Sequence, residues 1–510
     1  MPASVPHRAA CVACVLALLA PLPGSASYAI YVGRDLTADG SVLVGGTGEE
    51  PSSHWLARVP RRTHSPGTEL TVGATERARF PARLSTIPQA LETHAYLTMD
   101  YTSFAGFPGP LTNGGLNEHQ VAVRDVWSPS REELRAMTPP DQTGPQYSDL
   151  ARIALERART AREAVEIVGA LIDRYGYVTY GGNSHLFADP EEGWVMIEYA
   201  GGQGLWIAER LGPDELRASY PGYVQEVPLD FRERDDWLGS ANFVDFAVEQ
   251  GWYDPASGEP FDADAVYGLG GTLRDPGLNY VSPGQIEREL AEQAPVTVPE
   301  LMAMVRDPRI ADDQAGYGQV AHLRRDLPHP ELGLLWVAPT SSVTAPFLPW
   351  WIGVTAIPPE FRQHRYLTEN AGPTFLDADF QLQEATPFAG RIFRQLLYYA
   401  CAFPDEHLAR VQATLTAFED ATRARLPAIE RAAALALDAG EPAVARTLLT
   451  EYAHARAAEA LRTGRALVDG IGTEVRLRHG IPEPPAGEDI NGGGVSVNCL
   501  IGIDPDRVGG

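Results

Sequence analysis

The chain has 510 residues, enough for a large hydrophobic core, and its 44% hydrophobic and 21% charged residues are typical of a soluble globular protein. Its formal net charge of −26 argues against binding to nucleic acid or to anionic membrane surfaces, because both would be repelled. All 41 basic residues are arginines, which excludes a serine–lysine dyad, a Schiff-base lysine and a phosphate-loop lysine.

Residues 1–26 have the pattern of a signal peptide. Two basic residues precede the apolar run 9–20, which is too short to span a bilayer, and small residues at Gly24 and Ala26 suit a cleavage site. Cleavage after Ala26 would leave Ser27 as the first residue of the mature chain. We therefore expect export to a periplasm or to the cell exterior, with no membrane attachment after cleavage.

A serine at the start of a chain is a candidate catalytic nucleophile. Its hydroxyl can attack a carbonyl while its own α-amine takes the proton, directly or through a water. An α-amine has a pKa of roughly 7.7–8.0, so much of it is neutral near physiological pH. The alternative is that Ser27 only begins an ordinary first strand after a signal peptide.

Residues 27–41 read SYAIYVGRDLTADGS and predict a β-hairpin, in which an apolar strand leads to the turn pair Asp39 and Gly40 and a second strand returns. The Val-Gly pair at 32–33 and the Ala-Asp-Gly-Ser run at 38–41 resemble, at the same spacing, the mature N-terminus of the dipeptidase A and secernin family. This is a family of N-terminal-nucleophile (Ntn) hydrolases. The resemblance places Ser27 where the family has its nucleophilic cysteine.

The segment after the hairpin departs from the family pattern. Relatives carry an Arg-Asn pair followed within two residues by aspartate, whereas this chain has Gly46 and Thr47 at the pair, with Glu49 or Glu50 in place of the acid. We expect Glu49 or Glu50 to bind the α-ammonium group of a substrate. The alternative is that this glycine-rich stretch is a flexible loop.

Asn183 is the candidate oxyanion donor, because it begins an apolar stretch that resembles a family strand and acyl transfer needs a donor aimed at the developing oxyanion. The alternative is a turn asparagine. No GxSxG motif surrounds Ser184, which weakens an α/β-hydrolase interpretation. Asn117 is predicted to be a turn residue. His119 has no partner at metal-ligand spacing and is predicted to be a loop histidine.

The remaining elements follow from hydrophobic periodicity. A helical pattern covers 147–175, where the capping spacing of Thr160 and Glu163 allows two consecutive helices. Two buried strands are predicted near 194–198 and 205–210. The region after 377 predicts helices near 378–402, 404–438 and 440–470, with Pro427 kinking or dividing the middle one. Cys401 and Cys499 could form a disulfide, although nothing in their spacing supports it.

The resemblance continues through several motifs to about residue 475 and implies an α+β fold, the four-layer αββα Ntn-hydrolase sandwich. The domains expected are a signal peptide at 1–26, an Ntn core at 27–376, a helical region packed on it at 377–480, and a Pro/Gly-rich tail at 481–510. The reaction implied is hydrolysis of dipeptides through an acyl-enzyme on Ser27, with small peptides as partners and neither cofactor nor metal. An acylase acting on N-acyl amines and a non-catalytic relative on the same fold stay open as alternatives.

Overall fold

The computed structural model describes residues 27–48, 54–76, 78, 82–101, 106–179, 181–219, 224, 226–269, 282–311, 315–362 and 386–480. The predicted signal peptide, the predicted tail, and both Glu49 and Glu50 lie outside the described residues. No helix in the described part of the chain combines the length and hydropathy needed to cross a membrane.

The described strands are all antiparallel to their neighbours within the sheets. In chain order they are β1 (Ala29–Val32), β2 (Val42–Gly48), β3 (His54–Val59), β4 (Arg62–Thr63), β5 (Glu69–Val72), β6 (Ser85–Pro88), β7 (Glu92–Thr93), β8 (Tyr96–Tyr101), β9 (Thr112–Asn117), β10 (Ala122–Trp127), β11 (Asn183–Ala188), β12 (Gly193–Glu198), β13 (Trp206–Leu211), β14 (Leu216–Ser219), β15 (Glu226–Val227), β16 (Trp237–Gly239), β17 (Phe261–Asp262), β18 (Tyr317–Leu323), β19 (Leu334–Ala338) and β20 (Leu348–Trp351).

The described α-helices fall into a group within the sheet-forming part of the chain and a group after it. They are α1 (Glu132–Ala136), α2 (Tyr147–Arg157), α3 (Ala161–Tyr175), α4 (Phe243–Glu249), α5 (Ala263–Tyr267), α6 (Pro283–Gln293), α7 (Val298–Val305), α8 (Ala389–Ala402), α9 (Pro404–Arg423), α10 (Leu426–Asp438) and α11 (Pro442–His479).

Two large sheets form the centre of the fold. One has six strands in the order β14-β1-β2-β18-β19-β20, and the other has eight in the order β16-β13-β12-β11-β10-β9-β8-β3. The sheets pack face to face through contacts of β1, β2 and β19 with β9, β10 and β11. Helices α6 and α7 cover the outer face of the six-stranded sheet, and α2 and α3 cover the outer face of the eight-stranded one. This arrangement confirms the predicted αββα sandwich.

The first hairpin is present, but its connection is longer than predicted. Strands β1 and β2 pair with Ala29 opposite Gly46 and Val32 opposite Leu43. Between them the chain makes a single 3-10 turn at Arg34–Leu36 before it reaches the turn at Gly40. The reason is that the Gly33 and Asp35 amides donate to carbonyls of the loop before β14, which draws the segment away from a tight turn.

The capping of α3 explains why 147–175 forms two helices. The Thr160 hydroxyl accepts from the Glu163 amide at 3.1 Å, so a new helix begins at Ala161, and the predicted division is confirmed. After the sheets, α10 begins at Leu426 with Pro427 in its first turn, as expected where proline cannot continue a helix. The long α11 packs against α8, α10 and β20, and Cys401 on α8 is disulfide-bonded.

Candidate active site

Ser27 lies just before β1, an inner strand of the six-stranded sheet, and is only 7% exposed. Side chains alternate between the two faces of a strand. Tyr31 faces the eight-stranded sheet, because its ring lies against Gly193 of β12 and its hydroxyl donates to the Gly212 carbonyl at 2.9 Å. Counting back along the strand, Ala29 and Ser27 fall on the same face. Ser27 therefore belongs to the layer between the two sheets.

The strand beside Ser27 is shaped by glycine. The β1–β2 register, extended by two residues, sets Ser27 opposite Gly48 at the end of β2. A Cβ atom at Gly48 would lie 2.2 Å from the Tyr317 ring, so the aromatic ring can cover the backbone only because no side chain is there. The Gly316 amide donates to the Gly48 carbonyl at 2.7 Å and extends the pairing with β18.

Arg124 crosses from one sheet to the other at this level. It lies on β10 between Ala122 and Val126, which both belong to the core between the sheets, and is 2% exposed. Its Nη1 donates to the Tyr317 hydroxyl at 2.7 Å and to Gln319 Oε1 at 2.9 Å, on β18 of the opposite sheet. The guanidinium carbon also lies 4.9 Å from the centre of the Tyr317 ring, a cation–π distance.

The same guanidinium alters the strand pairing next to Ser27. The Thr47 amide donates to the Tyr28 carbonyl at 3.0 Å, and a regular antiparallel pair would return a bond from the Tyr28 amide to the Thr47 carbonyl. Here Nη2 of Arg124 donates to that carbonyl, and the Tyr28 amide turns to the Thr47 hydroxyl at 3.3 Å. This chain has Gly46 and Thr47 on β2 where the resemblance implies an Arg-Asn pair. A guanidinium nevertheless contacts the β2 backbone, because Arg124 of β10 donates to it.

A small apolar recess, with room for about one water molecule, lies beside this group. His54 lines it, and the His54 ring lies 5.2 Å from the Tyr317 ring while its Nε2 is 2.9 Å from Asn113 Oδ1. The other lining residues are mostly apolar and come from both sheets and from the start of α8, among them Leu56, Met99, Val337, Trp350, Phe361 and Phe388. The recess is apolar in character, and both sheets contribute to its walls.

Asn183 begins β11, as the sequence predicts, and is 1% exposed. Its side-chain amide donates to the carbonyl of the adjacent Ser184 at 3.2 Å. His185 and Phe187 stack on the same face of β11, and Phe187 packs in the cluster formed with α2 and α3. Strand alternation places Asn183 with them, on the face turned away from the layer that contains Ser27. Its role as an oxyanion donor stays a prediction.

A buried ion pair supports the strands behind the site. His185 Nδ1 lies 2.7 Å from Glu198 Oε1, its Nε2 lies 3.1 Å from the Tyr147 carbonyl, and both side chains are fully buried. Burial opposes the charged ring, but the Glu198 carboxylate outweighs it and raises the pKa of His185 above its usual range. Burial also opposes the charged form of Glu198, and for a carboxyl group this raises the pKa. The pair joins β11 to β12 and to the start of α2.

The structure corrects the interpretation of His119 as an isolated loop histidine. Ligand atoms of His94, Glu118 and His119 lie within 4.8 Å of one another at the far end of β9 from Asn113, and the two imidazole rings are 4.3 Å apart. The Glu118 carboxylate is already bound, because it accepts from Arg61 at 2.8 Å and from the Ala95 amide at 2.9 Å. Burial by itself would raise the pKa of Glu118, but hydrogen bonds from the His94 side chain and the Ala95 amide lower it to about 2. The side chains of this cluster are types that bind metal ions, but its one carboxylate, that of Glu118, already pairs with Arg61.

Sequence inspection missed Arg124, Tyr317 and Gln319, which the fold brings together from β10 and β18. One signal was available. Arg124 and Asp125 interrupt the apolar run 121–126, and alternation puts Arg124 on the same face as Ala122 and Val126. A charged side chain on the core face of a buried strand is unusual enough to mark a candidate site. Tyr317 and Gln319 have no such signal, because their positions depend on the pairing of β18 with β2.

Comparison with known proteins relates this chain to one peptidase family. The model of peptidase family C69 matches residues 26–283, slightly more than half of the chain. A probable dipeptidase A of Streptococcus pyogenes serotype M1 is 26% identical over 264 residues, which are 50% of this chain and 51% of that protein. A probable dipeptidase B of Streptococcus pyogenes serotype M6 is 25% identical over 242 residues, 46% of this chain and 45% of that protein.

The chain thus spans about half the length of the curated relatives it matches. Among solved structures, a mutant of conjugated bile acid hydrolase from Clostridium perfringens aligns with 68% of this chain and 100% of its own, at 10% identity and a TM-score of 0.31. That score is too low to support an argument, and the fold rests on the sheets and helices described above. On the family match, the chain belongs to peptidase family C69.

Proposed function

We propose that this chain is an exported dipeptidase that hydrolyses its substrate through an acyl-enzyme on an N-terminal serine. The observation that carries the proposal is the position of Ser27, which lies just before an inner strand and on the face toward the second sheet. The family match begins at residue 26, directly before this serine. The names of the probable dipeptidase relatives agree with it.

The proposed reaction needs a free α-amine on Ser27. In the precursor the Ser27 nitrogen is part of a peptide bond and cannot accept a proton, so cleavage after Ala26 comes first. The neutral amine then takes the hydroxyl proton as Oγ attacks the peptide carbonyl. Collapse of the tetrahedral intermediate releases the C-terminal amino acid, which takes the proton back from the ammonium. Water, deprotonated by the same amine, then hydrolyses the serine ester and restores Ser27.

Selection for dipeptides requires recognition of the free substrate ammonium. Glu49 and Glu50 follow β2 in the sequence, and β2 ends beside Ser27. In this proposal, one of these two carboxylates binds the substrate's α-ammonium.

The test is a substrate panel offered to the processed protein, after its N-terminal residue has been determined. Free dipeptides should be hydrolysed, and N-acyl amino acids should be poor substrates. Efficient cleavage of N-acyl amino acids instead would favour the acylase alternative. Turnover of neither class, by protein that begins at Ser27, would favour a non-catalytic relative.

A further inference from the structure

Within the described part of the chain, the guanidinium of Arg124 is a buried charge without a counter-ion. No carboxylate of those residues lies within salt-bridge distance of it, although its side chain is almost fully buried. The other deeply buried arginines differ in this respect. Arg152 pairs with Asp149 at 2.8 Å, and Arg306 pairs with Glu419. An unpaired buried charge is costly, so its presence calls for a compensating anion.

Arg124 also has N–H donors that no described residue uses. A guanidinium has five N–H donors, of which two on Nη1 and one on Nη2 are used by Tyr317, Gln319 and Thr47. Nε is buried and has no partner among the residues that the structure describes. Its donor and the remaining one on Nη2 are available to an anion, and two N–H groups of one guanidinium fit the two oxygens of a carboxylate.

The guanidinium of Arg124 lies close enough to Ser27 to bind the carboxylate of a dipeptide substrate. Arg124 donates to the Thr47 carbonyl, Thr47 pairs with Tyr28, and Tyr28 adjoins Ser27. Paired Cα atoms are about 5.5 Å apart and neighbouring ones about 3.8 Å, so the path from Thr47 through Tyr28 to Ser27 is at most about 9 Å. In a dipeptide the terminal carboxylate follows the scissile carbonyl by one residue.

We propose that Arg124 is the anion-binding residue of the site and receives the free C-terminal carboxylate of a dipeptide through its unused N–H donors. This inference rests on the proposed function and deepens it, because it names the residue that recognises the substrate's C-terminal carboxylate. Tyr317 and Gln319 are positioning residues, since they hold Nη1 and leave Nε available. A substrate extended at its C-terminus would have no carboxylate at this distance.

The experiment compares each dipeptide with its C-terminal amide on the same processed protein. Both substrates keep the α-ammonium and the scissile bond, so only the carboxylate differs. For the wild type we expect kcat/KM to be about 10²-fold higher for the free acid. Arg124→Gln should remove that preference, with the loss confined mainly to the acid substrate. Arg124→Lys should restore part of the preference for the free acid, because an ammonium keeps the positive charge but cannot donate two parallel hydrogen bonds as a guanidinium can.

A matched control is Arg217→Gln on β14, which removes an arginine of the neighbouring strand that already pairs with Glu209. It should leave the preference for the acid unchanged. If Arg124→Gln does not fold, the wild-type comparison still decides, since equal hydrolysis of acid and amide would overturn the role of Arg124 while leaving the dipeptidase proposal intact. Hydrolysis of neither substrate would overturn the proposed function, and this inference with it.

Discussion

Arg124, on the eight-stranded sheet, donates a hydrogen bond to the carbonyl of Thr47 on the six-stranded sheet. That carbonyl would otherwise accept from the Tyr28 amide, so one side chain both joins the two sheets and occupies a backbone carbonyl of the strand pair beside Ser27. The candidate site is thus crossed by an arginine from the opposite sheet.

Replacing the nucleophile should abolish catalysis and little else. Ser27→Ala in processed protein should reduce turnover to background, because no other group supplies the attacking oxygen, while the melting temperature stays nearly unchanged. Ser27→Cys should keep activity, since a thiol fills the same place in related enzymes. Steady-state kinetics and thermal melts measure both effects. Activity of Ser27→Ala equal to that of the parent would place the nucleophile elsewhere.

Asn183→Ala tests the oxyanion assignment made from the sequence. Because alternation turns the Asn183 side chain toward α2 and α3, we expect kcat to fall by less than about tenfold. Loss of a true oxyanion donor typically lowers kcat by about 10²–10³-fold. Ser184→Ala, which removes a hydroxyl that bonds the Val126 carbonyl on the neighbouring strand, is the control for local disturbance. A loss of the larger size, specific to Asn183, would show that its amide reaches the oxyanion.

The ammonium-binding acid is tested by blocked and free substrates. Glu49→Gln or Glu50→Gln should lower kcat/KM for free dipeptides by the equivalent of roughly 2–5 kcal/mol, because a desolvated ammonium would lose its partner. The same change should have little effect on N-acetylated dipeptides, which carry no ammonium. If the wild type cleaves acetylated and free dipeptides equally well, neither glutamate has this role.

The fold was largely predictable from the sequence, but the site was not. Periodicity located α2, α3 and the strands β12 and β13, because local patterns record which face is buried. The surroundings of Ser27 depend instead on long-range pairing of β2 with β18 and on the packing of two sheets. Arg124 and Tyr317 are far apart in the chain, and no local pattern joins them. His94 and His119 were missed as neighbours for the same reason.

The hairpin that carries Ser27 should show a pH-dependent stability that Asp39 controls. Asp39 Oδ2 lies 2.8 Å from His322 Nε2, and this hydrogen bond, with those from Ser41, holds the pKa of Asp39 well below its usual range. A depressed carboxyl pKa stabilises the folded state above the unfolded value of about 4, and the stabilisation is lost as the pH falls below it.

Asp39→Asn should therefore lower the free energy of unfolding by about 0.5 kcal/mol at pH 7, an amount typical of a half-exposed pair. The difference from wild type should shrink as the pH falls below about 4. Denaturant titrations across this range measure it. Asp35→Asn is the control, because Asp35 is exposed and its nearest cation, Arg34, is 3.8 Å away. A difference that stays constant with pH would exclude the proposed origin.

The most direct test of the account is to trap the acyl-enzyme and locate it. Processed protein mixed with an activated aminoacyl ester and quenched in acid should gain the mass of one aminoacyl group. Intact mass and peptide mapping should show a chain that begins at Ser27 with the adduct on that residue. Active protein that begins at another residue, or an adduct found anywhere but Ser27, would contradict the account.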